Sequence, residues 1–212
     1  FQFEDVTEQA GLGSEGVWTS GVAIADVNGD GWLDIYVCKS GPPGGPKRHN
    51  ELFINNKDLT FTEKSKAYGL HDEGLSVHAA FFDFDGDGDL DLYLNNSLRS
   101  VGGYDLIPGQ RNTPDPQGGN KLYRNDTRLN GEPFFTDVTS AAGIYSSNIG
   151  FGLGVAVSDI NQDGLPDLFV SNDFFEKDYL YWNDTPGLFR ESLESHIRET
   201  SMGSMGADIA DL

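Results

Sequence analysis

The chain has 212 residues, a formal charge of −20 and a pI near 4.2. That acidity argues against a nucleic-acid partner, which needs a basic stripe on the protein to neutralise phosphates, and against an anionic membrane surface. No run of about 18 apolar residues suggests membrane insertion. Cys38 is the single cysteine, which excludes an internal disulfide framework and a thiolate zinc site.

Aromatic residues are 12% of the chain, enough to build a core, so the acidity does not imply disorder. In chain order, the first piece is Phe3-Glu-Asp-Val-Thr7 followed by Ala10-Gly-Leu12. It reads as the fourth strand of a repeat (1–16) whose first three strands do not precede it. Three complete units follow, over 17–70, 76–144 and 151–193. A further first strand is expected over 203–212.

Each unit has the same parts. A small, apolar lead-in (Gly21-Val-Ala-Ile-Ala, His78-Ala-Ala-Phe-Phe, Gly154-Val-Ala-Val-Ser) runs into an acidic nonapeptide. The nonapeptides are Asp26-Val-Asn-Gly-Asp-Gly-Trp-Leu-Asp34, Asp83-Phe-Asp-Gly-Asp-Gly-Asp-Leu-Asp91 and Asp159-Ile-Asn-Gln-Asp-Gly-Leu-Pro-Asp167. A fourth starts at Asp211. An apolar run follows each, then Leu52-Phe-Ile-Asn55, Leu122-Tyr-Arg-Asn125 or Leu180-Tyr-Trp-Asn183. Last come Phe61-Thr-Glu, Phe135-Thr-Asp and Phe189-Arg-Glu.

These pieces are four to six residues long, rich in Val, Ile, Phe and Tyr, and bounded by Gly, Asn or Asp, which are strand signals. Only residues 190–199 are weakly helix-like. Four short antiparallel strands per unit predict an all-β chain built of β-propeller blades. About three whole blades plus end strands make a partial segment of a larger propeller, because closure takes about four or more.

The nonapeptide places oxygen atoms at positions 1, 3, 5 and 9, and position 7 can offer its backbone carbonyl. Glycine at position 6 permits the turn. Hard oxygen ligands in a flexible loop suit Ca²⁺ better than Mg²⁺, which demands tighter octahedral geometry. An EF-hand would need Glu at position 12; Val37, Leu94 and Val170 stand there. The expected ligand sets are Asp26, Asn28, Asp30, Trp32 and Asp34; Asp83, Asp85, Asp87, Asp89 and Asp91; and Asp159, Asn161, Asp163, Leu165 and Asp167. Asp211 opens a fourth, truncated site. Loop two carries the most carboxylates and is expected to bind most tightly.

The partner surface is expected on the opposite face, in segments 40–50, 97–120 and 172–178. Their bases (Lys47, Arg48, Arg99, Arg111, Lys177) balance their acids (Asp105, Asp115, Asp173, Glu176, Asp178). With His49, Tyr104, Phe174 and Phe175 they form a locally neutral, aromatic surface for a protein or glycan. The alternatives are a polysaccharide lyase using His49, His71, His78, Tyr104 and Arg111, and a purely structural subunit of a larger assembly; no spacing here forms a known catalytic motif. Cys38, Trp18, Trp32 and Trp182 read as packing residues.

Asp-x-Asn-x-Asp-Gly-x-x-Asp between strands, with lead-ins such as Gly150-Phe-Gly-Leu-Gly154, resembles the FG-GAP and VCBS repeats of integrin-α-like β-propellers. The Phe-x-Asp-Val-Thr-x-x-Ala-Gly element (Phe3–Leu12, Phe135–Ile144) is similar to secreted proteins of the ASPIC/UnbV and cartilage-acidic-protein type. The resemblance implies about seven blades, Ca²⁺ in the first hairpin of each, a secreted, periplasmic or cell-surface setting, and adhesion or recognition as the role.

Overall fold

A computed structural model describes residues 2–13, 18–41, 48–96, 108–127, 131–174 and 176–210. Among the described residues, twelve strands form three four-stranded antiparallel sheets, each in simple sequential order. Sheet one holds β1 (Trp18–Ala25), β2 (Asp34–Ser40), β3 (Glu51–Asn55) and β4 (Phe61–Glu63). Sheet two holds β5 (Ser76–Phe82), β6 (Asp91–Asn96), β7 (Lys121–Asn125) and β8 (Phe135–Asp137). Sheet three holds β9 (Gly152–Ser158), β10 (Asp167–Asn172), β11 (Tyr179–Thr185) and β12 (Leu188–Glu191). Two single-turn helices, α1 (Ser65–Tyr68) and α2 (Leu193–His196), follow β4 and β12. The all-β expectation and the four-strand unit hold; the three sheets make an open stack.

Register repeats along with sequence. Ala25 pairs with Asp34, Phe82 with Asp91 and Ser158 with Asp167, so each nonapeptide is the connection of the first hairpin and its ninth residue opens the second strand. A β-bulge near the far end of that hairpin recurs in all three sheets, which sharpens the local twist.

Sheet two lies between the others, with β5 against both β1 and β9. Tyr36, Cys38, Leu52, Leu92, Leu94 and Phe135 fill the first interface; Phe84, Tyr93, Leu122, Leu168, Val170 and Phe189 fill the second. Side chains such as Leu52, Leu92 and Leu168 are fully buried, each stabilising by roughly 1.5–3 kcal/mol. Strand β6 is buried along its whole length because its sheet is covered on both faces. Cys38 is buried, as expected, and burial pushes its thiol up to about 12. Trp182 packs with Leu180 and Leu193. Trp18 and Trp32, read as packing residues, are instead exposed along with Val22 and Ile24. Trp18, Val22 and Ile24 lie on β1, which packs against β5 and has no other described sheet over it, and Trp32 lies in the loop that follows.

A latch ties each unit to the next. The Phe61 N–H donates to Ala10 O, and the Phe189 N–H donates to Ala142 O, both at 2.8 Å. The glycine after each acceptor, Gly11 or Gly143, has positive φ and faces that phenylalanine's carbonyl, where a Cβ would clash. Gly69 sits on Phe135 in the same way. The Ala-Gly-(Leu/Ile) element is thus a contact between blades. Residues 2–13 make this latch without joining a sheet, and 203–210 run past β9, with Ser204 N–H on Asn172 O, also without a ladder.

Candidate metal centre

The first carboxylate of each loop caps its own turn. Asp26 accepts the Asp30 and Gly31 N–H groups at 2.9 and 2.7 Å. Asp83 accepts those of Gly86 and Gly88 at 2.7 and 3.0 Å, and Asp159 those of Asp163 and Gly164 at 3.0 and 2.9 Å. The fifth residue does the same for the seventh: Asp30, Asp87 and Asp163 accept the N–H groups of Trp32, Asp89 and Leu165. Position 6 is left-handed in every loop, and so is position 4, as Gly29, Gly86 and Gln162.

The ninth aspartate has a second task that the spacing alone did not reveal. Asp34 accepts the Val27 N–H at 3.0 Å and the Asn55 N–H at 2.8 Å. Asp91 accepts those of Phe84 and Asn125 at 3.0 and 2.8 Å, and Asp167 those of Ile160 and Asn183 at 3.0 Å each. All three are buried. Each one clamps its loop to the third strand while keeping unshared lone pairs for an ion. The asparagine that recurs in each third strand (Asn55, Asn125, Asn183) was the available signal. Asn125 and Asn183 match a glycosylation acceptor pattern, but both are buried.

The loops differ at position 3. In loops one and three an asparagine amide donates to the fifth carboxylate, Asn28 to Asp30 at 3.2 Å and Asn161 to Asp163 at 2.8 Å. Asp85 in loop two cannot donate when ionised. One oxygen each from Asp83, Asp85 and Asp91 lies within 4.8 Å of the others, the one such group of three among the described residues. Burial raises the pKa of Asp85, with Asp87 and Asp83 adding to it. Burial also lifts Asp89 to about 6, helped by Asp87 and Asp85, and Asp91 to about 7, helped by Asp85 and Asp89. Asp34 and Asp167 are raised by burial as well.

This donor set fits Ca²⁺. All its atoms are hard oxygens, and two ligands of one Ca²⁺ at about 2.4 Å stand no more than about 4.8 Å apart, so the spacing of the three carboxylates is compatible with a shared ion. A bound cation supplies positive charge where three carboxylates otherwise repel.

The expected partner residues divide into two neighbourhoods. Arg111 forms an ion pair with buried Glu176 at 2.7 Å and lies 5.7 Å from the Tyr145 ring centroid. Phe174, on the same segment as Glu176, packs edge-on against Phe151. His49 instead stacks on His71 at 3.9 Å in the first unit. Burial lowers its pKa, and so does His71. Burial opposes the charge on Arg111, but Glu176 more than offsets this and raises its pKa. Arg111, Lys121, Asp137, Thr139 and Tyr145 line a cavity of about 430 Å³. Tyr104, Phe175 and Asp211 lie outside the described residues.

The chain is 28% identical over 172 residues to cartilage acidic protein 1 of Xenopus tropicalis, covering 80% of this chain and 23% of that protein. The Homo sapiens protein of the same name is 27% identical, with 80% and 22% covered. The chain thus spans less than a quarter of the length of these curated relatives. Residues 42–94 and 159–212, half of the chain between them, match the FG-GAP-like repeat. The first segment contains loop two and the second contains loop three, and the chain belongs to the FG-GAP-like repeat family.

Proposed function

We propose that the chain is a Ca²⁺-stabilised β-propeller segment of an extracellular recognition protein, with loop two as its tightest cation site. The convergence of Asp83, Asp85 and Asp91 within 4.8 Å carries this reading. Loops one and three keep the same hairpin frame with one carboxylate fewer and form weaker sites. Such exposed, carboxylate-lined loops suit the higher Ca²⁺ concentrations outside cells, where modules work at affinities of about 10⁻⁴–10⁻³ M. Membership of the repeat family and relatives named for cartilage are consistent with that setting. No helix among the described residues is long and apolar enough to cross a membrane.

The ion's role here is structural. An ion that binds only the folded chain stabilises it by an amount that grows with the logarithm of its concentration above Kd. Calorimetric titration of the calcium-free chain with CaCl₂ tests the reading, with melting followed in parallel. Heat of binding and a rising melting temperature are expected. Neither appearing at millimolar Ca²⁺ overturns it.

A recognition surface at the opposite end of the sheets rests on a separate observation, the cavity beside Arg111 and Tyr145. Its cations are already paired, Arg111 with Glu176 and Lys121 with Asp72, so it suits a neutral, hydroxyl-rich glycan or a polar protein loop better than a strong polyanion. A glycan and protein array probed with the wild-type and Arg111→Ala chains tests this. A ligand retained equally by both places recognition elsewhere.

A further inference from the structure

Loops one and three have the same residue types at positions 1, 3, 5 and 9, yet the residue two past the third-strand asparagine is Lys57 in the first unit and Thr185 in the third. Lys57 lies in the turn between β3 and β4, and its Nζ stands 3.2 Å from Asp30 Oδ2. That oxygen also accepts the Asn28 amide at 3.2 Å. The position of Lys57 is fixed by two bonds in series: its N–H donates to Asn55 Oδ1 at 2.8 Å, and the Asn55 N–H donates to Asp34 Oδ1 at 2.8 Å. The turn carrying the lysine is therefore tied to the loop that its ammonium faces.

The same turn reaches the loop in the second unit. Thr127, also two residues past the third-strand asparagine, donates its hydroxyl to Asp89 Oδ2 at 2.9 Å. Thr185 holds that place in the third unit. Of the three equivalent positions, only the one over loop one carries a cation.

We infer that Lys57 is a tethered counter-ion of loop one, which competes with a divalent cation for Asp30 and makes loop one the weakest of the three sites. The inference rests on the reading that the acidic loops hold Ca²⁺. The Lys57 side chain is 49% exposed and Asp30 23%, so the pair adds little to folding stability. Its effect falls on occupancy. An ammonium within a few ångströms of an incoming ion repels it, and the lysine must swing into solvent before Asp30 can turn to the ion. The competition is between charges, so it weakens as salt screens them.

Terbium luminescence of the 212-residue chain tests it, because Trp32 at position 7 of loop one is an antenna inside the site. The Trp32→Phe chain gives the signal contributed by the other loops. Lys57→Thr, which copies the other two units, and Lys57→Gln are expected to tighten the Trp32-dependent terbium affinity by about three- to tenfold at low salt, with a smaller gain at 0.5 M salt, as screening predicts. Lys57→Arg, which keeps the charge, is expected to stay within about twofold. Terbium binding to loop one with unchanged affinity in Lys57→Thr and Lys57→Gln overturns the inference and leaves the calcium reading intact. No calcium-displaceable terbium binding to any loop of the wild-type chain overturns the calcium reading and the inference with it.

Discussion

The Asn183 side chain donates its N–H to the Phe84 carbonyl at 2.8 Å, reaching across 99 residues of sequence. The equivalent asparagines stay within their own unit, Asn55 on Leu33 O and Asn125 on Leu90 O. In the third unit the matching residue of the loop is Pro166, and Asn183 turns instead to the second residue of loop two. It therefore joins the third sheet to the loop with the densest charge, while its own N–H holds Asp167.

Replacing Asn183 with alanine leaves the Phe84 carbonyl without that donor in a buried setting. The expected cost is about 1–3 kcal/mol. Chemical denaturation of the Asn183→Ala chain should show it with and without Ca²⁺, and Ca²⁺ binding to loop two should weaken as well. Unchanged stability would mean that this bond is not a working link between the second and third units.

Two substitutions in loop two separate clamp from ligand. Asp91→Ala strands the buried N–H groups of Phe84 and Asn125 and is expected to cost about 2–4 kcal/mol even in calcium-free buffer. Asp85→Asn removes one of the crowded charges and gives loop two the residue found in loops one and three. It should raise the melting temperature in calcium-free buffer and weaken Ca²⁺ binding by about tenfold, since ligand charge tunes affinity. If both variants moved calcium-free stability the same way, the division of roles would be wrong.

The hairpin loops and the four-strand unit were legible in the sequence because they are local. Turn residues at fixed spacing, flanked by β-branched and aromatic runs, specify a hairpin wherever they occur. The same spacing did not reveal that Asp34, Asp91 and Asp167 hold the third strand, since that depends on register between strands two and three. Nor did it show Lys57 over loop one or Asn183 on Phe84, which are contacts across turns and between sheets. Arg111 was picked out for its segment's neutral charge, but its ion pair with Glu176 lies between two units and has no local sequence signal. Trp18, on β1, was misread as packing because a strand's apolar residues do not say whether another sheet covers them, and Trp32 because it belongs to the exposed acidic loop rather than to a strand.

Calcium-free chain should lose stability as pH rises from about 4 to 7. Unfolded aspartate titrates near 3.9, whereas folded Asp89 and Asp91 titrate at about 6 and about 7. Within that window the folded chain keeps protons that the unfolded chain has released, so raising the pH favours unfolding. Asp34, Asp85, Asp167 and Glu176, all raised by burial, act in the same direction. His49 and His78, lowered by burial, oppose it below about pH 6.5. The carboxylates prevail because more groups are involved and two of the shifts are large. Saturating Ca²⁺ should reverse the trend, because the ion requires deprotonated ligands. Melting curves at pH 5, 6, 7 and 8 on chelated, desalted protein check this. A flat or rising profile without Ca²⁺ would show that the loop-two carboxylates do not crowd one another in solution, and Asp85→Asn should flatten the slope.

Gln162 stands at position 4 of loop three with φ 63°, where loops one and two place Gly29 and Gly86 at 68° and 78°. A side chain in this left-handed region costs roughly 1–2 kcal/mol. Glycine removes that strain but adds roughly 0.5–1 kcal/mol of unfolded-state entropy. The Gln162→Gly chain should therefore be more stable by about 0.5–1 kcal/mol, seen as a higher urea midpoint with an unchanged slope. The reverse exchange, Gly86→Gln in loop two, should cost a similar amount. Because the backbone at position 4 precedes the fifth carboxylate, relaxing it should leave Ca²⁺ affinity at loop three equal or slightly better. A lower midpoint for Gln162→Gly would show that the glutamine side chain makes a compensating contact in solution that outweighs its backbone strain.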